Sequence, residues 1–586
     1  MGEKTCSTIK FGGVLKVSKL SRGGFALSLA VMVGLGLVLG AEPVLAAGRG
    51  YEKSIEPNGK SCKSDNDTDC FTLGVTNTPN SVLKNKIEQA KHKKSCDEGD
   101  AWGCYSLGWM YDEGSGVEQD YSIALGLYTK ACDGGEPKGC TNIGWMYGEG
   151  NGVEQSDIKA YEFYKRGCYD GDPLGCANLG WMFEVGRGTE QDLGRAVDLY
   201  RQACNRGQLT SCNYLGDMYV QGKGVNQSHK KAIDIYTRTC NEGNAFGCSN
   251  LGWMYDGGHG VKQDFIKAAS LYKRACEDEN AWGCNNLGWI YEQGNGVEAN
   301  EVKAAEFYRK SCDSGYDLGC TNLGWLYQYG VDLGQDIKEA LKLFDQACKG
   351  EEYIGCNNLG VLFQNGDGVE QNYETAVEYY KQACGGGVNL GCTNLGVMYE
   401  YGAGVLLSKA TAIEYYDKAC DDNFLQACVY IGSIYRTYGA VSIFFKETDE
   451  NYMKAVNYYQ KACQGGDYEG CDSLGYLHLN GFGVEQNEEK AFGFYDQTCN
   501  GGFNEGCLML GMLYQEGTGV EENPTKAFEL YQLACEKDIA SGCSYVAQMY
   551  ARGEGVIKDK FKALEFLQKA CDFGLTKDCN ILKDMS

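Results

Sequence analysis

Histidine is the rarest residue of this 586-residue chain, with four copies at His92, His229, His259 and His478. They share no common register, and the cysteines stand eight apart rather than two to four, so a structural zinc site is excluded. No metal and no other cofactor is expected. Basic side chains are in deficit: 54 Lys and Arg face 79 Asp and Glu, a net charge of −25. Such a surface repels a phosphate backbone, which removes nucleic acid from the partners. Strand-like alternation is missing.

Long apolar runs are missing too, apart from FALSLAVMVGLGLVLG at Phe25 to Gly40. Lys4, Lys10, Lys16, Lys19 and Arg22 precede it, and Val44 to Ala46 offers small residues for cleavage. This is the layout of a secretory signal over residues 1–46, short for a full membrane span. Cleavage would remove five basic and two acidic residues, moving the net charge from −25 to −28. The mature chain is then expected outside the cytosol, secreted or periplasmic, with no hold on a membrane.

What is abundant is cysteine, 31 copies. Thirty fall into pairs eight apart: Cys62 with Cys70, Cys96 with Cys104, Cys132 with Cys140, Cys168 with Cys176, Cys204 with Cys212, Cys240 with Cys248, Cys276 with Cys284, Cys312 with Cys320, Cys348 with Cys356, Cys384 with Cys392, Cys420 with Cys428, Cys463 with Cys471, Cys499 with Cys507, Cys535 with Cys543 and Cys571 with Cys579. The first members recur every 36 residues from Cys96 to Cys420, step once by 43 to Cys463, then return to 36. Only Cys6, within the signal, is left over. A fixed period marks a tandem array whose units bury their apolar faces against their neighbours. An oxidising compartment lets each pair close as a disulfide. Closing a nine-residue loop contributes ~2.6 kcal/mol in the chain-entropy model.

Stacking the repeats turns each column into a set of comparisons. Before the second helix of each repeat stand Asp120, Ser156, Asp192, Ser228, Asp264, Asn300, Asp336, Asn372, Ser408, Asn451, Asn487, Asn523 and Asp559, all strong N-cap residues. Four positions later comes alanine in every repeat, from Ala124 to Ala563, where another helix must pass close by. Four further on is tyrosine, as at Tyr128 and Tyr164, replaced only by Phe344 and Leu567. This is one face of a helix. Glycines such as Gly135 and Gly171 suit its C-terminal cap. The first helix opens at the second cysteine, as in CTNIGWMYGEG at Cys140 to Gly150. Ile143, Met146 and Tyr147 form its core stripe, Gly144 admits a close partner, Gly150 and Gly152 break it, and Val153 tucks the loop down.

The domain reading follows. Residues 47–98 hold a linker, a degenerate first repeat and a polar N-terminal capping helix near Ile87 to Cys96. Residues 99–574 hold thirteen repeats, and 575–586 a C-terminal capping helix. A seven-residue insertion within 436–451, carrying Ile443, Phe444 and Phe445, is expected to lengthen an interhelical loop.

The recurring pattern GC-x-NLG-x-MY-x-x-G-x-GV…KA-x-x-x-Y-x-KAC resembles Sel1-like repeats, relatives of tetratricopeptide repeats. The cysteine spacing resembles the Helicobacter cysteine-rich protein family in particular. The resemblance implies an all-α, right-handed α/α superhelical solenoid of disulfide-bonded helix pairs, whose first helices line a concave groove for a protein or peptide; the chain is expected to be monomeric. On those helices one column reads Trp109, Trp145, Trp181, Asp217, Trp253, Trp289 and Trp325, then fades through Val361, Val397 and Ser433. Trp102, Phe246 and Trp282 share its face. Beside it run Asn142, Asn178, Asn250, Asn286, Asn322, Asn358 and Asn394, whose amides could hold an extended peptide. Asp112, Glu113, Glu149, Glu184 and Glu292 would favour a basic one. The competing reading packs the tryptophans between repeats and bonds the asparagines to a neighbouring helix.

Some members of the resembled family carry a β-lactamase label, which keeps weak penicillin hydrolysis as the alternative function. Serine β-lactamases combine Ser-x-x-Lys, Ser-Asp-Asn and Lys-Thr-Gly. Here Ser-x-x-Lys begins at Ser7, Ser81, Ser156, Ser228 and Ser270, and Ser64-Asp65-Asn66 occurs once, but Lys-Thr-Gly is absent. No catalytic residue is assigned.

Overall fold

A computed structural model describes residues 79–330, 332–441 and 448–585. The signal over 1–46, the expected bridge between Cys62 and Cys70, Ser64 to Asn66, and Ile443, Phe444 and Phe445 lie outside the described residues. The described residues form twenty-eight helices and no strand. The chain divides into two compact parts, up to Asn300 and from Glu301. Within each part, helix pairs follow one another as thirteen-residue hairpins, typified by Ala101–Glu113 with Tyr121–Asp133 and Pro137–Glu149 with Asp157–Asp170, the last of fourteen residues. A helix at Pro79–Asp97 precedes the repeats and one at Thr576–Met585 follows them.

One contact recurs in the hairpins within each part. The recurring tyrosine of the second helix lies on the recurring glycine of the first: an added methyl would fall 2.9 Å from the Tyr128 ring at Gly108 and 2.7 Å from Tyr164 at Gly144. Glycine in mid-helix costs roughly 0.5–1 kcal/mol against alanine, and burying the ring offsets it. Tyr128, Tyr164 and Tyr200 are fully buried, as is Phe344. The last repeat confirms the pairing: Leu567 replaces the tyrosine and Ala547 replaces its glycine. The alanine column, from Ala124 to Ala527, is fully buried, and Ala563 nearly so.

Eleven of the expected N-cap side chains accept from a first-turn amide, Asp120 from Ile123 and Asn487 from Lys490 among them. Asn451 is a correction, because it lies inside the helix Thr448–Gln464. The insertion reading is corrected with it. Leu425–Val441 and Thr448–Gln464 are both seventeen residues long, so each helix is about a turn longer than its counterparts. The cause is Tyr438, which replaces the glycine that ends the other first helices, as Gly402 does with φ +70°. Without a residue suited to the left-handed cap, the helix runs on.

The loops are stitched by a column the sequence reading passed over. Seven glutamines, from Gln119 to Gln371, donate their amide to the carbonyl seven residues earlier at 2.7–2.8 Å. Gly152, at φ +70°, sits where a side chain would collide with Tyr121 of the preceding repeat, so the loop can lie on that helix only as glycine. Val153 packs against the core beneath.

Fourteen of the expected disulfides are formed, with Cα atoms 4.4–5.0 Å apart. In the part ending at Asn300 they are Cys96–Cys104, Cys132–Cys140, Cys168–Cys176, Cys204–Cys212, Cys240–Cys248 and Cys276–Cys284. In the part from Glu301 they are Cys312–Cys320, Cys348–Cys356, Cys384–Cys392, Cys420–Cys428, Cys463–Cys471, Cys499–Cys507, Cys535–Cys543 and Cys571–Cys579. Each lies between the end of one helix and the start of the next first helix. Cations of the following repeat reach back to these joints: Arg166 donates to the Cys132 carbonyl at 2.9 Å, Arg206 to Cys168 at 3.0 Å, and Lys418 to Cys384 at 2.8 Å. These carbonyls end helices, where a cation is favoured.

The ring-on-glycine contact predicts opposite outcomes for two glycine substitutions. Gly216→Ala, facing the Tyr236 ring, should destabilise its hairpin by about 1–3 kcal/mol. Gly126→Ala, on an open helical surface, should stabilise by about 0.5–1 kcal/mol. Amide hydrogen exchange of Leu209–Gln221 and Tyr121–Asp133 reads both.

Candidate functional site

The tryptophan column is half-buried, which joins the two readings set against each other above. Trp109, Trp145, Trp181, Trp253, Trp289 and Trp325, with Trp102 and Trp282, each cover core with part of the indole and leave part open. Trp145 packs against the apolar clusters on both sides of its repeat. Phe246 is 56 % exposed. Several rings carry a cation or another ring: Lys138 over Trp102 at 5.3 Å, Arg187 over Trp181 at 5.8 Å, His259 stacked on Trp253 at 4.0 Å, and Tyr329 beside Trp325 at 5.0 Å. Trp282 meets Tyr272 edge-on at 6.2 Å.

In the part ending at Asn300, several of the first helices that carry the column touch the next first helix. Pro137–Glu149 touches Pro173–Val185, and Ala245–Asp256 touches both Leu209–Gln221 and Ala281–Gln293. Among the described residues no two consecutive second helices approach as closely. The 36-residue register therefore repeats the tryptophans along the row of first helices in the part ending at Asn300.

The asparagines are placed elsewhere than expected. Asn142, Asn178, Asn250, Asn286, Asn322 and Asn358 are buried, and Asn394 is half-buried. Asn142 lies beside the Tyr105 and Tyr128 hydroxyls, Asn286 beside the Tyr272 hydroxyl, and Asn250 donates to Asp217 at 3.4 Å. Asn394 donates to Asn357 at 3.0 Å. They form an interior polar row, because buried hydroxyls need partners.

Part of the acidic set is internal for the same reason. Asp112, 1 % exposed, accepts from the Tyr128 hydroxyl at 2.8 Å, and Glu184 accepts from Tyr200 at 2.6 Å. Gln364, Glu400 and Gln515 do the same in their repeats. Glu113 and Glu149 stay exposed, and Glu292 is half-buried. This acceptor column explains two breaks in the tryptophan series. Val220 and Arg436 occupy the acceptor position and cannot accept. In those two repeats Asp217 takes the Tyr236 hydroxyl at 2.5 Å and Ser433 lies 3.1 Å from the Tyr459 hydroxyl. The signal was present in the sequence as a paired exchange, Trp for Asp217 or Ser433 where the acceptor is lost. The exchange is not obligatory, since Gly148 brings no side-chain acceptor and its repeat keeps Trp145.

The Ser-x-x-Lys sequences at Ser156 and Ser228 are helix starts. Each serine Oγ accepts from the backbone amide of the lysine three residues on, at 3.4 Å. Ser270 is exposed in mid-helix.

The family model described as Sel1 repeat matches thirteen consecutive stretches, from residues 103–136 to 540–574. No curated protein matches the chain. Among solved structures, a protective antigen of uropathogenic Escherichia coli strains displaying an SLR fold is 24% identical, covering 85% of this chain and 97% of its own, with a TM-score of 0.53. A Sel1 repeat protein of Oxalobacter formigenes is 24% identical over 40% of this chain and 97% of its own, at TM-score 0.36. Cysteine rich protein B of Helicobacter pylori is 30% identical over 24% of this chain and 98% of its own, at TM-score 0.20.

One titration and one stability change follow from the buried hydroxyl row. Burial pushes the Asp256 carboxyl up to about 6, opposed by its bond from Tyr272. A folded-state value above the unfolded one means the native chain holds the proton more tightly, so stability should fall as pH rises from 4 to 6 and level off above. Melting of Asp256→Asn across that range should show a smaller slope, the remainder coming from other raised carboxyls such as Asp472, also pushed up to about 6. Asp217→Ala should cost about 1–3 kcal/mol by stranding the Tyr236 hydroxyl, read by hydrogen exchange of His229–Asn241.

Proposed function

The chain belongs to the Sel1 repeat family, and from that premise we propose that it is an exported binding scaffold whose tryptophan-bearing inner row, in the part up to Asn300, receives a protein or peptide. Sel1 repeats are a scaffold typical of protein–protein interaction. The observation that carries the reading is the half-buried indole recurring at the same register on the mutually touching first helices. A half-buried tryptophan is rigid, so little conformational entropy is lost on contact, and its open area is apolar. Fourteen disulfides support an extracellular or periplasmic setting, and no described helix is long and apolar enough to cross a membrane.

The partner is basic in this proposal. The chain carries −25 net charge, Glu113 and Glu149 lie exposed near the row, and the indoles already accept cations from Lys138 and Arg187. A lysine- or arginine-bearing segment meets both the field and the ring faces.

Fluorescence titration of the oxidised chain with a Lys/Arg-rich peptide and its Asp/Glu-rich counterpart tests this. The basic peptide should bind preferentially and weaken with salt. Trp145→Ala with Trp181→Ala should reduce affinity about 10-fold or more. Equal binding by the double variant, or none by the natural chain, overturns the groove. Turnover of a chromogenic β-lactam would move the assignment to a hydrolase.

A further inference from the structure

Among the described residues, one disulfide differs from the others in what touches it. The Arg238 guanidinium donates through one nitrogen to both sulfurs of the Cys204–Cys212 bridge, 2.7 Å from Cys204 Sγ and 2.8 Å from Cys212 Sγ. Elsewhere a cation reaches a single sulfur at longer range: Arg206 stands 3.5 Å from Cys176 Sγ and Lys418 3.9 Å from Cys384 Sγ. Arg238 also faces Glu242 at 3.9 Å, but both are about half exposed, so water screens that pair and the charge on the sulfurs persists.

A second observation concerns the helix that Cys212 opens. Cys212 is the fourth residue of Leu209–Gln221. The amides of a helix's first turn stabilise a negative charge beside them. In the other first helices of this part, a side-chain oxygen already occupies those amides: Asp100, Glu136, Asp172, Asn244 and Asn280 each accept from one or two of them. Gln208 makes no such cap bond. The amides at the start of this helix therefore carry no capping carboxylate near the sulfur. Cys204 retains 5 % exposure and Cys212 none, so an incoming group meets Cys204 first.

We propose that Cys204–Cys212 is a thiol–disulfide exchange site, the bridge of this part that a low-molecular-weight thiol opens most readily. The thiolate of the small thiol attacks Cys204 Sγ. The S–S bond breaks, a mixed disulfide forms on Cys204, and the electron pair leaves on Cys212 as a thiolate held by Arg238 and the uncapped first turn. A second small thiolate then attacks the mixed disulfide, releasing the oxidised small disulfide and a Cys204 thiolate beside the same guanidinium. The rate of such exchange rises as the leaving thiolate is stabilised. The site joins the helix Leu193–Asn205 to Leu209–Gln221, so opening it releases the joint between two neighbouring hairpins.

The test equilibrates the full oxidised chain in glutathione buffers of graded ratio, quenches in acid, alkylates free thiols and measures every pair by mass spectrometry. Cys204–Cys212 should be half reduced in a buffer about 10-fold more oxidising than Cys168–Cys176 and Cys240–Cys248 require. Arg238→Gln should move it into the range of those neighbours, and Arg238→Lys, which keeps a charge, should retain most of the difference. The proposal fails if the natural chain opens this bridge together with its neighbours, or if Arg238→Gln leaves its position unchanged. Should Arg238→Gln fail to fold by circular dichroism, the ranking of bridges within the natural chain decides alone.

Discussion

The hairpins within each part depend on an aromatic ring, nearly always tyrosine, seated on a bare glycine. The contact requires both residues at once. A side chain on the glycine would occupy the ring's place, and a smaller residue than tyrosine would leave a cavity that the helix pair could not close. Ala547 with Leu567 shows the pair exchanged together, the added methyl matched by a smaller partner. The ring brings a hydroxyl into the core, and that hydroxyl imposes the next constraint. It needs a partner: in several repeats the penultimate residue of the first helix supplies a carboxylate or amide, as Asp112, Glu184 and Gln364 do, and in two others Asp217 or Ser433 lies against it. The polar interior row is a consequence of choosing tyrosine over phenylalanine. Phe344 and Leu567, which bring no hydroxyl, need no such partner.

Between hairpins the same economy of means recurs. The alanine column lets the next helix approach, a loop glycine lies on the preceding second helix, and lysine or arginine reaches back to the carbonyl that ends it. Each of these is a nearest-neighbour interaction. Stability is therefore spread along each part rather than concentrated in one core, and the disulfides constrain the unfolded chain at the same joints where the cations bind. That coincidence gives the guanidinium at Cys204–Cys212 its chemical interest: a residue type used elsewhere to finish a helix end here rests on the sulfurs themselves.

The tryptophan face is the part of the array that the hairpin does not require. Later repeats keep the glycine, tyrosine and alanine columns while Val361, Val397 and Met512 take the place of the indole. A half-buried ring contributes to packing and still presents apolar area, so partial burial does not argue against recognition. Asp217 shows the limit of the freedom: where Val220 fails to accept from Tyr236, the surface column is surrendered to the core.

The period, the two-helix repeat, the caps and the disulfide pairing were legible in the sequence, because each rests on a local interaction repeated at 36-residue spacing. A helix start needs only its own first turn, and two cysteines eight apart need only the turn between them. What the tertiary structure decided was the direction in which polar side chains face. Asn142 and Asp112 look like surface groups by residue type, but a tyrosine hydroxyl from another helix draws them inward, and that partner lies 16 to 37 residues away in the chain. The insertion was misread for a related reason. Its length was visible, but whether the extra residues become loop or helix depended on Tyr438 replacing a left-handed glycine. The contact of Arg238 with both sulfurs of a bridge 26 and 34 residues behind it belongs to the same class, since only the stacking of one repeat on the next brings the guanidinium there.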